Sequence, residues 1–236
     1  MMKISRTTPT RPAEPANRWP GPALRVLAAV CFWAMILPVL AGTGQPASAA
    51  SEPGTFLTSM TGRAIAQLTD ESLPLPERKA RFRILFRENF DVPAVGRFVL
   101  GRYWRRAKPE TQDAFLSVFE EIMIQRFAPK FAGYADTTFE VSRVRPLDQP
   151  GHFLIRSRIS TDRGEPIEID WRVRERDGHF KIIDVIGEGI SMALTLRSEY
   201  GSAIKSSGGQ VESLIDRLRA QVQNDGDTQT SESVAD

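Results

Sequence analysis

Between Tyr134 and Phe139 the spacing of apolar residues changes from every third or fourth position to every second one, and the new spacing holds as far as Gly187. A helix turns once per 3.6 residues while a strand alternates faces at each residue, so the two patterns belong to different elements. The chain therefore builds helices first and strands second. Elements segregated in this way make an α+β domain, with helices packed on one face of an antiparallel sheet.

The helical half is punctuated by proline. Residues 55–69 put Phe56, Leu57, Met60, Ala64 and Leu68 at helical spacing, and a second helix opens at Leu75 with Pro76 in its first turn. Asp91 is the N-cap of a third helix, with Pro93 just inside it and Phe98, Val99 and Tyr103 along it. Pro109 restarts a fourth, whose Phe115, Val118, Phe119, Ile122 and Met123 form one wide stripe, and Pro129 bends or ends it.

Four strands follow. Phe139, Val141 and Arg143 alternate with Glu140, Ser142 and Val144; Phe153, Ile155, Ser157 and Ile159 alternate with Leu154, Arg156 and Arg158. Ile167, Ile169, Trp171 and Val173 alternate with Glu168, Asp170, Arg172 and Arg174, and a fourth strand covers residues 179–186. Turn residues lie at 147–151 and 161–164 and at Asp177-Gly178, which predicts a meander curved around the helices with room for an apolar cavity. Ser191 then caps a helix that Gly208-Gly209 breaks, and Val211, Leu214, Ile215 and Leu218 make a short last helix. From Asn224 the composition is Asp, Ser, Thr and Gln, so residues 224–236 are expected to be a disordered tail.

Ahead of all this, residues 1–50 have the layout of a secretory leader: scattered Lys and Arg, an apolar run from Val26 to Leu40, and an A-x-A match at Ala47, Ser48 and Ala49. The run is broken by Pro38 and is shorter than the ~20 residues a membrane span needs. The expectation is a cleaved leader, a periplasmic product beginning near Ala50, and one domain over residues 51–223. The leader holds five of the 31 basic residues and one of the 29 acidic ones, leaving 26 against 28. Nucleic-acid binding calls for a basic domain, and this one is not basic. Cys31 is the only cysteine, so the exported part has no disulfide and no thiol nucleophile.

Catalytic motifs are scarce. His152 and His179 fall beside hairpin turns with no zinc-type spacing, and neither a G-x-S-x-G elbow nor a phosphate-binding loop is present. Gly187-Glu-Gly189 lacks the third glycine of a dinucleotide fingerprint. Strict alternation puts Asp184 in register with Phe180, Ile182 and Ile186, which leaves it either a general base in an apolar pocket or a structural hydrogen-bond partner. Arg102, Arg105, Arg106 and Lys108 form a basic cluster that is either a solvated helix end favouring its dipole or a docking site for a lipid headgroup or an acidic partner surface. No cofactor or metal is expected.

The stretch from Phe90 through Gly96-Arg-Phe-Val-Leu-Gly-Arg-Tyr-Trp-Arg-Arg-Ala107, with Pro109-Glu-Thr-Gln after it, resembles the helical signature of the MlaC and toluene-tolerance auxiliary proteins. Ile169-Asp-Trp-Arg-Val173, Phe180-Lys-Ile-Ile-Asp-Val-Ile186, Glu188-Gly-Ile-Ser-Met192 and Arg197-Ser-Glu-Tyr200 resemble its second half. The resemblance implies a periplasmic phospholipid carrier with a fold of the nuclear-transport-factor type and a cavity for two acyl chains. Its implied partners are an inner-membrane ABC transporter complex and an outer-membrane lipoprotein complex. A relative in the same superfamily is associated with hopanoids, so a hopanoid cargo, a small exported enzyme using Asp184, and an interaction module with a filled core are the alternatives. The tails are expected against Phe153, Ile155, Ile169, Trp171 and Val173 of the sheet, opposed by Phe115, Phe119 and Ile122 of the fourth helix.

Overall fold

Proline and side-chain caps set the helix starts. A computed structural model of the chain describes residues 52–160 and 165–233; the expected leader, with Cys31, and the 161–164 turn lie outside them. Helix α1 spans Glu52–Leu68 and α2 Leu75–Asn89, with Pro76 in the first turn as the sequence predicts. Helix α3, Val92–Leu100, is capped by the Asp91 carboxylate, which accepts the Ala94 amide at 3.0 Å. A 3-10 turn, Gly101–Tyr103, leads to α4, Pro109–Phe127, which passes at Ala128 into a second 3-10 stretch that ends at Tyr134.

The strands are β1 Thr138–Pro146, β2 His152–Ser160, β3 Ile167–Arg176 and β4 His179–Gly187, followed by a two-residue β5, Ile190–Ser191. They form one antiparallel meander in chain order. The fifth strand corrects the expected four. Glu188 and Gly189, both at positive φ, turn the chain back so that Ile190 pairs with Gly187. Asp177 and Gly178 make the same kind of tight turn between β3 and β4, as an Asp-Gly pair predicts.

Helix α5 spans Met192–Ser206, and α6 spans Val211–Ser233. The last helix therefore runs past Asn224 into the stretch expected to be disordered. Val211, Leu214, Ile215 and Leu218 are buried, and a helix anchored in this way extends at little cost because each added residue brings its own hydrogen bond.

Two irregularities alter the faces of the sheet. In β1, Val141 pairs with Ser157 and Arg143 with Arg156, so Ser142 is an extra residue. In β4, Asp184 pairs with Arg172 and Ile182 with Val173, so Ile183 is the extra one. Each such bulge shifts the alternation by one residue. Val144 thereby joins Phe139 and Val141 on one face, while Arg143 turns away.

Apolar burial is divided. One cluster is helical, built from α3, α4, α5 and α6 around Val99, Phe115, Phe119, Leu196 and Ile204. A second lies between α1 and the sheet, around Leu57, Met60, Ile155, Val173 and Ile182. Ala64, Leu68 and Leu85 form a third at the α1–α2 junction. Phe90, between α2 and α3, packs against the first two and pairs alongside β4 through the Asp91 amide, which donates to the Ile182 carbonyl at 2.9 Å.

Candidate functional site

The register of β2, β3 and β4 lays the apolar residues of one sheet face in rows. Phe153, Val173 and Ile182 form the first row, Ile155, Trp171 and Val185 the second, and Ser157, Ile169 and Gly187 the third. Ile155, Val173 and Ile182 are completely buried beneath Leu57 and Met60 of α1. Phe180 sits with its ring 5.8 Å from Phe56 and 6.1 Å from Phe153. Ser157 is buried too, and its hydroxyl accepts the Trp171 indole N–H at 2.8 Å, so the ring lies on the face with its one polar group satisfied.

All five strand residues expected to meet acyl chains thus share one face. Phe115, Phe119 and Ile122 do not oppose them: they belong to the helical cluster, and the helix over the sheet is α1. A wide apolar stripe states that α4 is buried but not against what. Phe56, Leu57 and Met60 were visible as a helical stripe with no stated destination, whereas Val144 and Val185 reach the face only through the bulges.

The bulge at Ile183 also decides Asp184. It removes the side chain from the Trp171–Val173 face and pairs it with Arg172, whose Nε lies 4.0 Å from the carboxylate. The carboxylate accepts the Ser191 hydroxyl at 2.6 Å and the Ala193 amide at 3.0 Å, while Ser191 Oγ accepts the Leu194 amide at 3.1 Å. Asp184 therefore holds the N-terminus of α5 to β4 and does not enter an apolar pocket. This is its structural reading: the expected register with Phe180 and Ile182 is corrected, while Asp184 stays in register with Ile186. His152 and His179 begin β2 and β4 beside turns, and the described residues contain no group of acidic, His or Cys side chains suited to a metal.

Two clefts open elsewhere. One, of about 580 Å³, lies between α2, α3, α4 and α6, and its charges neutralise one another: Arg83 contacts Glu120 at 3.2 Å and Glu121 at 2.8 Å, and Arg87 contacts Glu120 at 2.9 Å. The other, of about 640 Å³, is lined by Arg97, Gly101, Arg102, Trp104, Arg105, Gln112 and Arg197, without a carboxylate. Of the expected docking cluster, Arg102 and Arg105 line this cleft and Arg106 and Lys108 do not; Arg97 and Arg197 join them from α3 and α5. Arg197, far away in sequence, could not be placed there by reading along the chain.

A family model described as MlaC protein matches residues 58–220. The chain belongs to the MlaC family. The MlaC match takes in the whole basic cleft and all of the apolar face except Phe56 and Leu57. Among curated relatives, the chain is 24% identical to the Haemophilus influenzae intermembrane phospholipid transport system binding protein MlaC over 128 residues, 53% of this chain and 59% of that protein. It thus spans less than two thirds of that MlaC protein's length. Its fold is similar to a phospholipid-binding protein of Ralstonia solanacearum solved in complex with a phospholipid, with a TM-score of 0.67 at 20% identity, over 73% of this chain and 97% of the other.

Proposed function

We propose that this MlaC-family chain is a periplasmic, non-enzymatic carrier that moves phospholipid between the outer membrane and an inner-membrane ABC transporter complex. The observation that carries this reading is the apolar sheet face packed beneath α1 and Phe90, in a chain matched to the family over residues 58–220. Its relatives are named for binding and transporting phospholipid.

The physical requirement is severe. At about 0.8 kcal/mol per buried methylene, two acyl chains with roughly thirty methylenes lose on the order of 20 kcal/mol on entering water. A carrier must hide them completely, and the first half of α1 packs over the Ile155–Val173–Ile182 face beside Phe90. Leu68, at the far end of α1, is buried against α2, its carbonyl accepts the buried Arg78 Nε at 2.9 Å, and Arg63 pairs with Glu88 at 3.0 Å and donates to the buried Asn89 Oδ1 at 3.2 Å. Lifting Phe56, Leu57 and Met60 uncovers apolar side chains at about 1.5–3 kcal/mol each, which incoming tails offset by replacing the contacts. Loading is thus a repacking of α1 against the sheet, and release without a docking partner is slow.

Native mass spectrometry of protein taken from the periplasmic fraction without detergent tests the proposal. The expected result is a population heavier than the polypeptide by the mass of one phospholipid. Protein that is uniformly lipid-free, or that carries a hopanoid, would overturn it.

A further inference from the structure

The second cleft concentrates positive charge on a chain whose described part is not basic. Arg97, Arg102, Arg105 and Arg197 line it, and among the described residues none of the four makes an ion pair with a carboxylate. Aromatic rings and backbone hold three of the four guanidinium planes instead. Arg97 lies over the Trp104 ring at 5.6 Å, Arg102 over Tyr103 at 4.9 Å while donating to its hydroxyl at 2.9 Å, and Arg197 over Phe98 at 4.8 Å while donating to the Phe98 carbonyl at 3.0 Å.

Gly101 completes the arrangement. Its φ is +55°, a conformation that favours glycine, and a Cβ there would crowd the Arg197 guanidinium at 3.0 Å. Beside the arginines stand apolar groups without cover. Phe98 is 41% exposed, and Leu194, one turn before Arg197 on the same face of α5, is 54% exposed. Fixed guanidinium groups among exposed apolar side chains match a surface that offers phosphates and hydrocarbon together, which a solvated acidic protein surface does not.

We propose that the face made by α3, the Gly101–Tyr103 turn and α5 docks on an anionic bilayer, with the arginine cleft taking headgroup phosphates and Phe98 and Leu194 entering the interface. This rests on the carrier reading, for which it supplies a step: the protein meets the membrane itself as well as its protein partners.

The test is cosedimentation of the purified protein with vesicles of phosphatidylcholine alone and of phosphatidylcholine mixed with phosphatidylglycerol, at low and high salt. Binding is expected to the mixed vesicles only and to weaken with salt. Each arginine removed costs about fivefold, so Arg97→Gln with Arg197→Gln loses roughly 25-fold while circular dichroism is unchanged. Phe98→Ser weakens binding to the same vesicles without changing its salt dependence. Equal binding to neutral vesicles, full binding by the double arginine variant, or binding of inorganic phosphate by a protein that ignores vesicles would each overturn the proposal. A protein that binds mixed vesicles yet never carries lipid leaves the docking face standing and removes the carrier reading.

Discussion

Asp170 and Arg156 form the most complete ion pair on the outer face of the sheet, with Nε and a terminal nitrogen of the guanidinium 2.8 and 2.9 Å from the two carboxylate oxygens. Hydrogen bonding from Arg156, against the opposing effect of burial, holds the Asp170 carboxyl below its usual range. A carboxyl depressed in the folded state contributes stability above its unfolded value, about pH 4, and loses it as pH falls through the lower folded value. Asp170→Asn is therefore expected to unfold at lower urea than the parent at pH 7, and at a pH below about 4 the two midpoints are expected to draw together. Because the pair is partly exposed the neutral-pH difference is small, and urea titrations at the two pH values check it. Asp184 makes the contrasting case one strand away. Its role as a tie between β4 and α5 was open in the sequence, because strict alternation placed it among apolar residues.

At the level of elements, the third row of the apolar face contains a gap. Gly187 lies between Ile169 and Ile190, and a Cβ built on it meets nothing within 4 Å. Its backbone is not at positive φ, so a larger residue fits without strain. Gly187→Leu is expected to fold as the parent does and to copurify with severalfold less lipid, since the added side chain fills space on the face that would hold the tails. Arg158→Leu, on the opposite face, should keep its load, and extraction with mass spectrometry of the two variants makes the comparison. The helices and the four long strands were legible because proline, Asp-Gly and period-2 alternation mark them locally. The bulges at Ser142 and Ile183 were not, since an extra residue leaves composition and turn signals unchanged and is seen only when strands are paired. For the same reason the sequence identified Ile155, Trp171 and Val173 as one face but assigned α4 as their cover: choosing between two amphipathic helices is a tertiary decision.

Across the whole molecule, the helical cluster and the sheet cluster meet at Phe90, whose ring is 4.7 Å from Phe86 and whose backbone pairs with β4. Each cluster holds one reporter, Trp104 packed on the helical side and Trp171 on the sheet side. Phe90→Ala is expected to cost about 2–3 kcal/mol, less than a fully buried ring, and to separate two transitions that coincide in the parent. Unfolding followed by fluorescence in Trp104→Phe and Trp171→Phe backgrounds of protein lacking residues 1–50, which hold Trp19 and Trp33, reads each side alone; coincident transitions in both would mean that Phe90 does not couple them. The bulge at Ser142 has a further consequence. Among the described residues β1 has a strand on one side only. An open margin of peptide groups is a template on which a second copy could add itself, and repeated copies would grow into a fibre. The extra residue breaks the even spacing of those groups, Arg143 and Arg145 set like charges along them, and Pro146 has no N–H to give. On the proposed carrier reading, in which the first helix parts from the sheet to admit cargo, these features keep the protein from polymerising while it does so.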